Sequence, residues 1–228
     1  MNLKKVIIAL DNDNLINTIN IIKILKNDAF AFKIGYEFFF NFGIKGYKCI
    51  QEEDIKIFLD LKLHDIPNTV QKGIEAISKL NPYFTTVHIS GGDEMLKAAN
   101  FSKKNTKILG VSILTSLNSE QTSKFYFNNN IENIVSNFTN YALKNNLDGI
   151  VCSPREIKMI KKIALHKLMI ITPGIRPLNY DRFSDDQKRT MTPKEAIDAG
   201  ANYLVIGRPI TKATNPLESL KLINLSLE

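Results

Sequence analysis

At 228 residues the chain has room for one sizeable domain, and 44% hydrophobic against 23% charged residues excludes both a disordered chain and one built of membrane spans. Lys plus Arg number 30 against 23 for Asp plus Glu, a formal charge of +7 that favours anionic partners. The lysines are scattered through every segment instead of clustering with aromatics, which argues against a nucleic-acid reader, and Cys49 and Cys152 stand in no disulfide-scaffold or zinc-ligand spacing, which fits a reducing cytoplasm.

Eight short apolar runs rich in Val, Ile and Phe recur along the chain, each followed by a polar or Gly-containing turn and then a stretch with helical spacing. The first, VIIALD ending at Asp11, is too short for a secretory apolar region and reads as a strand. A helix over 14–27 follows, then FAFKIGY ending at Tyr36. The aromatic triplet Phe38–Phe40 lies between Lys33, Glu37 and Lys45, so it cannot belong to a bilayer span and reads as the buried face of a helix. IKIFLDLK ends at Lys62 and precedes a helix over 67–80; FTTVHIS ends at Ser90, and KILGVSILT at Thr115. After a helix over 131–145 comes GIVCS ending at Ser153, a helix over 154–165, and LMIITPGI ending at Ile175. The polar stretch from Arg176 to Thr192 has the length of a lid instead of a minimal loop. A helix over 193–199, the strand YLVIGRPI ending at Ile210 and a helix over 216–224 complete the chain. Several of these helices open with proline, whose missing N–H costs nothing in a first turn.

Continuous apolar strands alternating with helices predict a parallel sheet, and eight units of about 28 residues predict a single-domain (β/α)8 TIM barrel over 1–228. An open doubly wound sheet is the alternative, but no strand is followed by GxGxxG or GxxxxGK[ST]. In a barrel the C-terminal ends of the strands meet at one mouth, here bringing together Asp11, Lys33, Asp60, Lys62, His88, Ser90, Thr115, Ser153, Pro173, Arg176, Gly207 and Arg208.

The strongest local signal is DLKLHDIPNT, from Asp60 to Thr69. A period of two puts Asp60 and Lys62 on the same side of their strand, about 7 Å apart along it. Such charges are costly to bury without partners, and Lys33 on the adjacent strand can supply one. His64 shares the parity of Lys62, while His166 reads as solvent-facing and His88 as a hydrogen-bonding neighbour of the site. Ser90 and Ser153 lack a His/Asp relay, which argues against a serine hydrolase. Arginine is used only five times, always beyond residue 150, so Arg176 and Arg208 are candidates for fork-shaped anion recognition.

DLKLHDIPNT, taken with ALD, FKIG, VHISGG, ILTS, TPGIR and VIGRPI, resembles the orotidine 5′-phosphate decarboxylases over nearly the whole chain. The DxKxxD segment alone is shared with related barrels such as hexulose-phosphate synthases. The resemblance implies a charged array of Lys33, Asp60, Lys62 and Asp65, with Lys62 as proton donor and no cofactor or metal. It implies a homodimer in which Asp65 and Thr69 enter the partner's site. It also implies that Asp11 and Lys33 hold the ribose, that Thr115 contacts the pyrimidine, and that Arg176, Gln187, Gly207 and Arg208 bind substrate and its phosphate. Ile89 stands where relatives often carry a small residue and is expected to point away from the mouth. The resemblance thus implies a cytoplasmic enzyme acting on a small nucleotide in pyrimidine synthesis, with no nucleic-acid or membrane partner. A metal-dependent sugar-phosphate lyase on the same scaffold and a catalytically silent nucleotide- or RNA-binding barrel are the alternatives.

Overall fold

The computed structural model describes residues 4–127, 130–177 and 190–227. Eight parallel strands close into a barrel in sequence order: β1 (Val6–Ala9), β2 (Ala31–Ile34), β3 (Ile57–Leu63), β4 (Phe84–His88), β5 (Lys107–Val111), β6 (Gly149–Val151), β7 (Met169–Thr172) and β8 (Tyr203–Ile206). β1 closes the ring by pairing with β8, Ile8 opposite Ile206. The helices are α1 (Leu15–Leu25), α2 (Tyr36–Gln51), α3 (Pro67–Leu80), α4 (Gly92–Ser102), α5 (Ser119–Tyr126), α6 (Ile131–Lys144), α7 (Ile157–Ala164), α8 (Pro193–Ala199), α9 (Arg208–Thr211) and α10 (Pro216–Leu225).

The strands alternate between two cores. On β1, Val6 and Ile8 face the helices, whereas Ile7 and Ala9 face the axis with Ala31, Phe58, Phe84, Leu109, Ile171 and Val205. Each large apolar side chain buried in this way contributes about 1.5–3 kcal/mol. At the N-terminal end of the barrel Phe30, Tyr83 and Tyr203 pack against the axial cluster, with Phe30 stacked on Tyr203 at 4.0 Å and Lys56 over the Phe30 ring at 4.5 Å. That end is a filled floor, and the side chains of the opposite end are left to line a site.

The predicted barrel is present, but several predicted strands run too far. β4 ends at His88, and Ile89–Gly91 form a 3-10 turn. β5 ends at Val111, short of Thr115, and β8 ends at Ile206, because Gly207 caps the short helix α9, in which Pro209 offers no ladder donor. Ile89 is buried in the helix-side core, as expected of a side chain turned from the mouth; it fills the space that a Cβ on Gly110 would need, 2.7 Å away. The aromatic triplet is a buried face only in part. Phe38 is fully buried, but Phe40 is 78% exposed and stacks on Tyr36 with ring centroids 5.5 Å apart.

Candidate active site

The barrel register explains how the charged residues meet. Lys33 on β2 pairs with Ala9 on β1 and Phe58 on β3, so it shares the axial phase of both. Asp60 is the next axial residue beyond Phe58, within reach of the Lys33 ammonium. Lys33 Nζ lies 3.4 Å from Asp60 Oδ2 and 3.8 Å from Asp11 Oδ1, and Lys62 Nζ donates to Asp60 Oδ2 at 2.9 Å. One carboxylate oxygen therefore serves two ammonium groups.

β3 is not a regular strand here. Its register with β4 runs from Leu59 opposite Thr85 to Leu63 opposite Val87, so four steps on β3 match two on β4, and Lys62 takes φ +44° within this bulge. The expected 7 Å offset between Asp60 and Lys62 is thereby overcome by bent backbone and flexible side chain. Thr86, from β4, donates to Asp60 Oδ1 at 2.9 Å and accepts the Lys62 backbone N–H at 2.8 Å.

The electrostatics follow from these contacts. Burial alone would lift the Asp60 pKa, but Lys33 and Lys62, with hydrogen bonds from Lys62 and Thr86, hold it below the usual carboxylate range. Burial disfavours the Lys33 ammonium, yet Asp60 and Asp11 outweigh that cost and raise its pKa. Burial, followed by the nearby His64 and Lys62, pushes His88 down to about 4, while Asp60 works the other way. The His64 and His88 rings lie 5.2 Å apart.

Asp11, Lys33, Asp60 and Lys62 form one wall of a cavity of about 510 Å3, a size that suits a small ligand. Asp11, Lys33, Asp60, Lys62, Thr115, Arg176, Gly207 and Arg208 all line it, as the sequence led us to expect. Val111, Ile113, Val151, Cys152, Pro173 and Val205 supply apolar wall, and burial raises the Cys152 thiol pKa well above its ordinary value. Arg176 is buried, and its backbone N–H donates to Met191 O at 3.0 Å beside the bridge of Ile175 to Met191. A methyl on Gly207 would meet Ala9 Cβ at 3.4 Å, an ordinary contact, so packing alone does not demand glycine there.

His88, Ser90 and Ser153, expected at the mouth, do not line this cavity, and neither do Asp65 and Thr69. Asp65 and Thr69 lie in the exposed run from His64 to Thr69, where Asp65 Oδ1 accepts the Ile66 N–H. Gln187 lies outside the described residues, as does most of the predicted lid. Lys212 and Thr86 were missed by sequence reasoning. Lys212 lines the cavity four residues after Arg208, and Thr86 shares the axial phase of His88 on β4; each spacing was a usable signal. Among the described residues, no three His, Cys, Asp or Glu side chains gather as metal ligands, and no helix is long and apolar enough to cross a membrane.

The sequence profile of the Orotidine 5′-phosphate decarboxylase / HUMPS family matches residues 4–223. The chain belongs to this family. Among the family's orotidine 5′-phosphate decarboxylases, that of Wolbachia sp. subsp. Brugia malayi (strain TRS) is 44% identical over 224 residues, covering 97% of this chain and 98% of the relative. That of Pseudoalteromonas translucida (strain TAC 125) is 40% identical over 230 residues, covering 99% and 97%. The crystal structure of orotidine 5′-phosphate decarboxylase from Lactobacillus acidophilus superposes with a TM-score of 0.86 at 34% identity, covering 99% of this chain and 100% of that one.

Proposed function

We propose that this protein converts orotidine 5′-phosphate to UMP and CO2 in de novo pyrimidine synthesis, using its own side chains and no cofactor. The observation that carries this reading is the triad of Lys33, Asp60 and Lys62 on one wall of a cavity that Arg176 and Arg208 also line.

Breaking the bond between C6 and the carboxylate leaves an electron pair in the plane of the pyrimidine, where ring resonance cannot take it up. A fixed cation beside C6 lowers the energy of that pair, and an ammonium can then donate a proton to the same carbon. Lys62 is assigned both tasks, the amine being reprotonated from water afterwards. Asp60 aims Lys62 and lies where the substrate carboxylate must come, so that departure of CO2 relieves repulsion between like charges. Asp11 and Lys33 are assigned to the ribose, Thr115 to the pyrimidine, and Arg176, Gln187, Gly207 and Arg208 to the phosphate end. Binding energy from that remote end holds the ring against Lys62.

Asp65 and Thr69 are assigned to the active site of a second copy. Their exposure supports a homodimer, as does the 65% exposed Ile66 between them and the exposed Tyr36 and Phe40, since large apolar side chains outside a core favour a partner surface. The Tyr36 hydroxyl donates to Leu61 O at 3.0 Å, tying the start of α2 to the strand that leads into this run. A cytoplasmic setting accompanies the reading, with Cys49 and Cys152 both as free thiols.

The test is ultraviolet detection of UMP formation by purified protein after exhaustive EDTA treatment. Turnover unaffected by the chelator is expected. Turnover of a sugar phosphate only, restored by added Mg2+, would replace this reading with the lyase alternative.

A further inference from the structure

Thr86 is fully buried on β4 and touches both members of the central ion pair from another strand. A hydroxyl has one proton to donate, and here a carboxylate can only accept it, while the Lys62 backbone N–H can only donate. The Thr86 rotor is therefore fixed by its two partners. The contact fills the place where the β3–β4 ladder skips, between Leu59 opposite Thr85 and Leu63 opposite Val87. Without it, the amide of Lys62, held at φ +44°, would lose its acceptor, and Asp60 Oδ1 would lose its donor.

We propose that Thr86 is a positioning residue for the decarboxylation. Its hydroxyl acts as a side-chain rung in place of the missing ladder bond, holds the Lys62 backbone in the bulge, and turns the Asp60 carboxylate so that Oδ2 faces both ammonium groups. The kinetic consequence rests on the decarboxylase reading, whereas the effect on Asp60 does not.

The test compares Thr86→Val, which keeps the shape but removes the hydroxyl, with Thr86→Ser, which restores it. Asp60 is faced by Lys33 from β2 with Asp11 behind it, by Lys62 on β3, and by Thr86 and His88 from β4. The valine variant removes the Thr86 donor to Asp60 and, with it, the acceptor of the Lys62 backbone N–H, and leaves the other facing groups in place. A lost donor to the ionised carboxylate raises its pKa, so Asp60 should take up its proton at higher pH in Thr86→Val and return towards wild type in Thr86→Ser. Carbon-13 NMR titration of the aspartate carboxyls reads this directly, with Asp60 assigned from the signal missing in Asp60→Asn. In turnover of orotidine 5′-phosphate, kcat should fall about ten-fold in the valine variant with KM changed less than about two-fold, and its acid limb should move to higher pH. Should the valine variant not fold, Thr86→Cys, a weaker donor of similar size, is read in the same way.

A valine variant with wild-type titration and wild-type kcat overturns the proposal, and so does a serine variant that behaves like valine, since packing would then be the whole effect. If the wild-type protein yields no UMP, the decarboxylase reading falls, and the carboxyl titration alone decides whether Thr86 orients Asp60.

Discussion

Asp60 concentrates the electrostatics of the site in one side chain. Its Oδ2 accepts from Lys62 and faces Lys33, its Oδ1 accepts a hydrogen bond from Thr86, and the residue is buried. Lys62, by contrast, is half-buried and lines the cavity, as its proposed role of proton donor requires. Lys62→Ala should lower kcat by at least about 10³-fold while nucleotide affinity changes little, because an interaction made only in the transition state is lost; single-turnover kinetics and calorimetric titration with UMP check the two halves. His88 offers a pH prediction. Its folded pKa of about 4 lies below the ordinary 6.5, so the unfolded chain binds the proton more readily. The stability it contributes is complete above pH 6.5 and drains as pH falls towards 4. In His88→Gln this part of the acid loss should vanish, giving a shallower fall in urea midpoint across that window.

At the scale of the elements, the main lesson concerns where strands stop. Helices over 67–80 and 193–199 were legible to the residue, since proline marks each start and Asn81 and Gly200 end them in left-handed conformations. The ends of β4, β5 and β8 were not, because Ile89, Ile113 and Ile210 continue the apolar pattern after the ladder has ended and are buried all the same. α2 was seen only as its aromatic start. Its glycines disguise it: Gly43 takes φ 57° and ψ −151° at a kink, and a Cβ on Gly46 would meet Phe42 Cβ at 2.3 Å. The first of these is a conformation that L side chains scarcely adopt. Gly43→Ala should therefore cost about 1–3 kcal/mol, visible as a lowered midpoint in scanning calorimetry, without affecting the charged wall. The bulge in β3 was also hidden, for nothing in DLKLHD distinguishes a regular strand from one that skips two residues against its neighbour.

For the whole molecule, the barrel and most of its mouth could be read from residue order, since parallel strands in sequence order bring their ends together whatever the loops do. The position of Asp65 could not be tested by the same logic, because a single chain leaves it outside its own cavity. If two copies share their sites, mixing Asp65→Ala chains with Arg208→Ala chains should restore about a quarter of wild-type activity: random pairing gives half heterodimers, each with one undamaged site. The activity of the mixture, with each variant alone as the baseline, checks this, and no recovery despite subunit exchange shown by mass spectrometry would argue against the shared site.

The filled floor of the barrel has a consequence for traffic. With Phe30, Tyr83 and Tyr203 packed beneath the axial core, the described residues close the N-terminal end of the cylinder, so the cavity opens towards the C-terminal ends of the strands. If the occupant is the nucleotide proposed above, substrate and product share this mouth, and UMP should inhibit competitively to the extent that it binds.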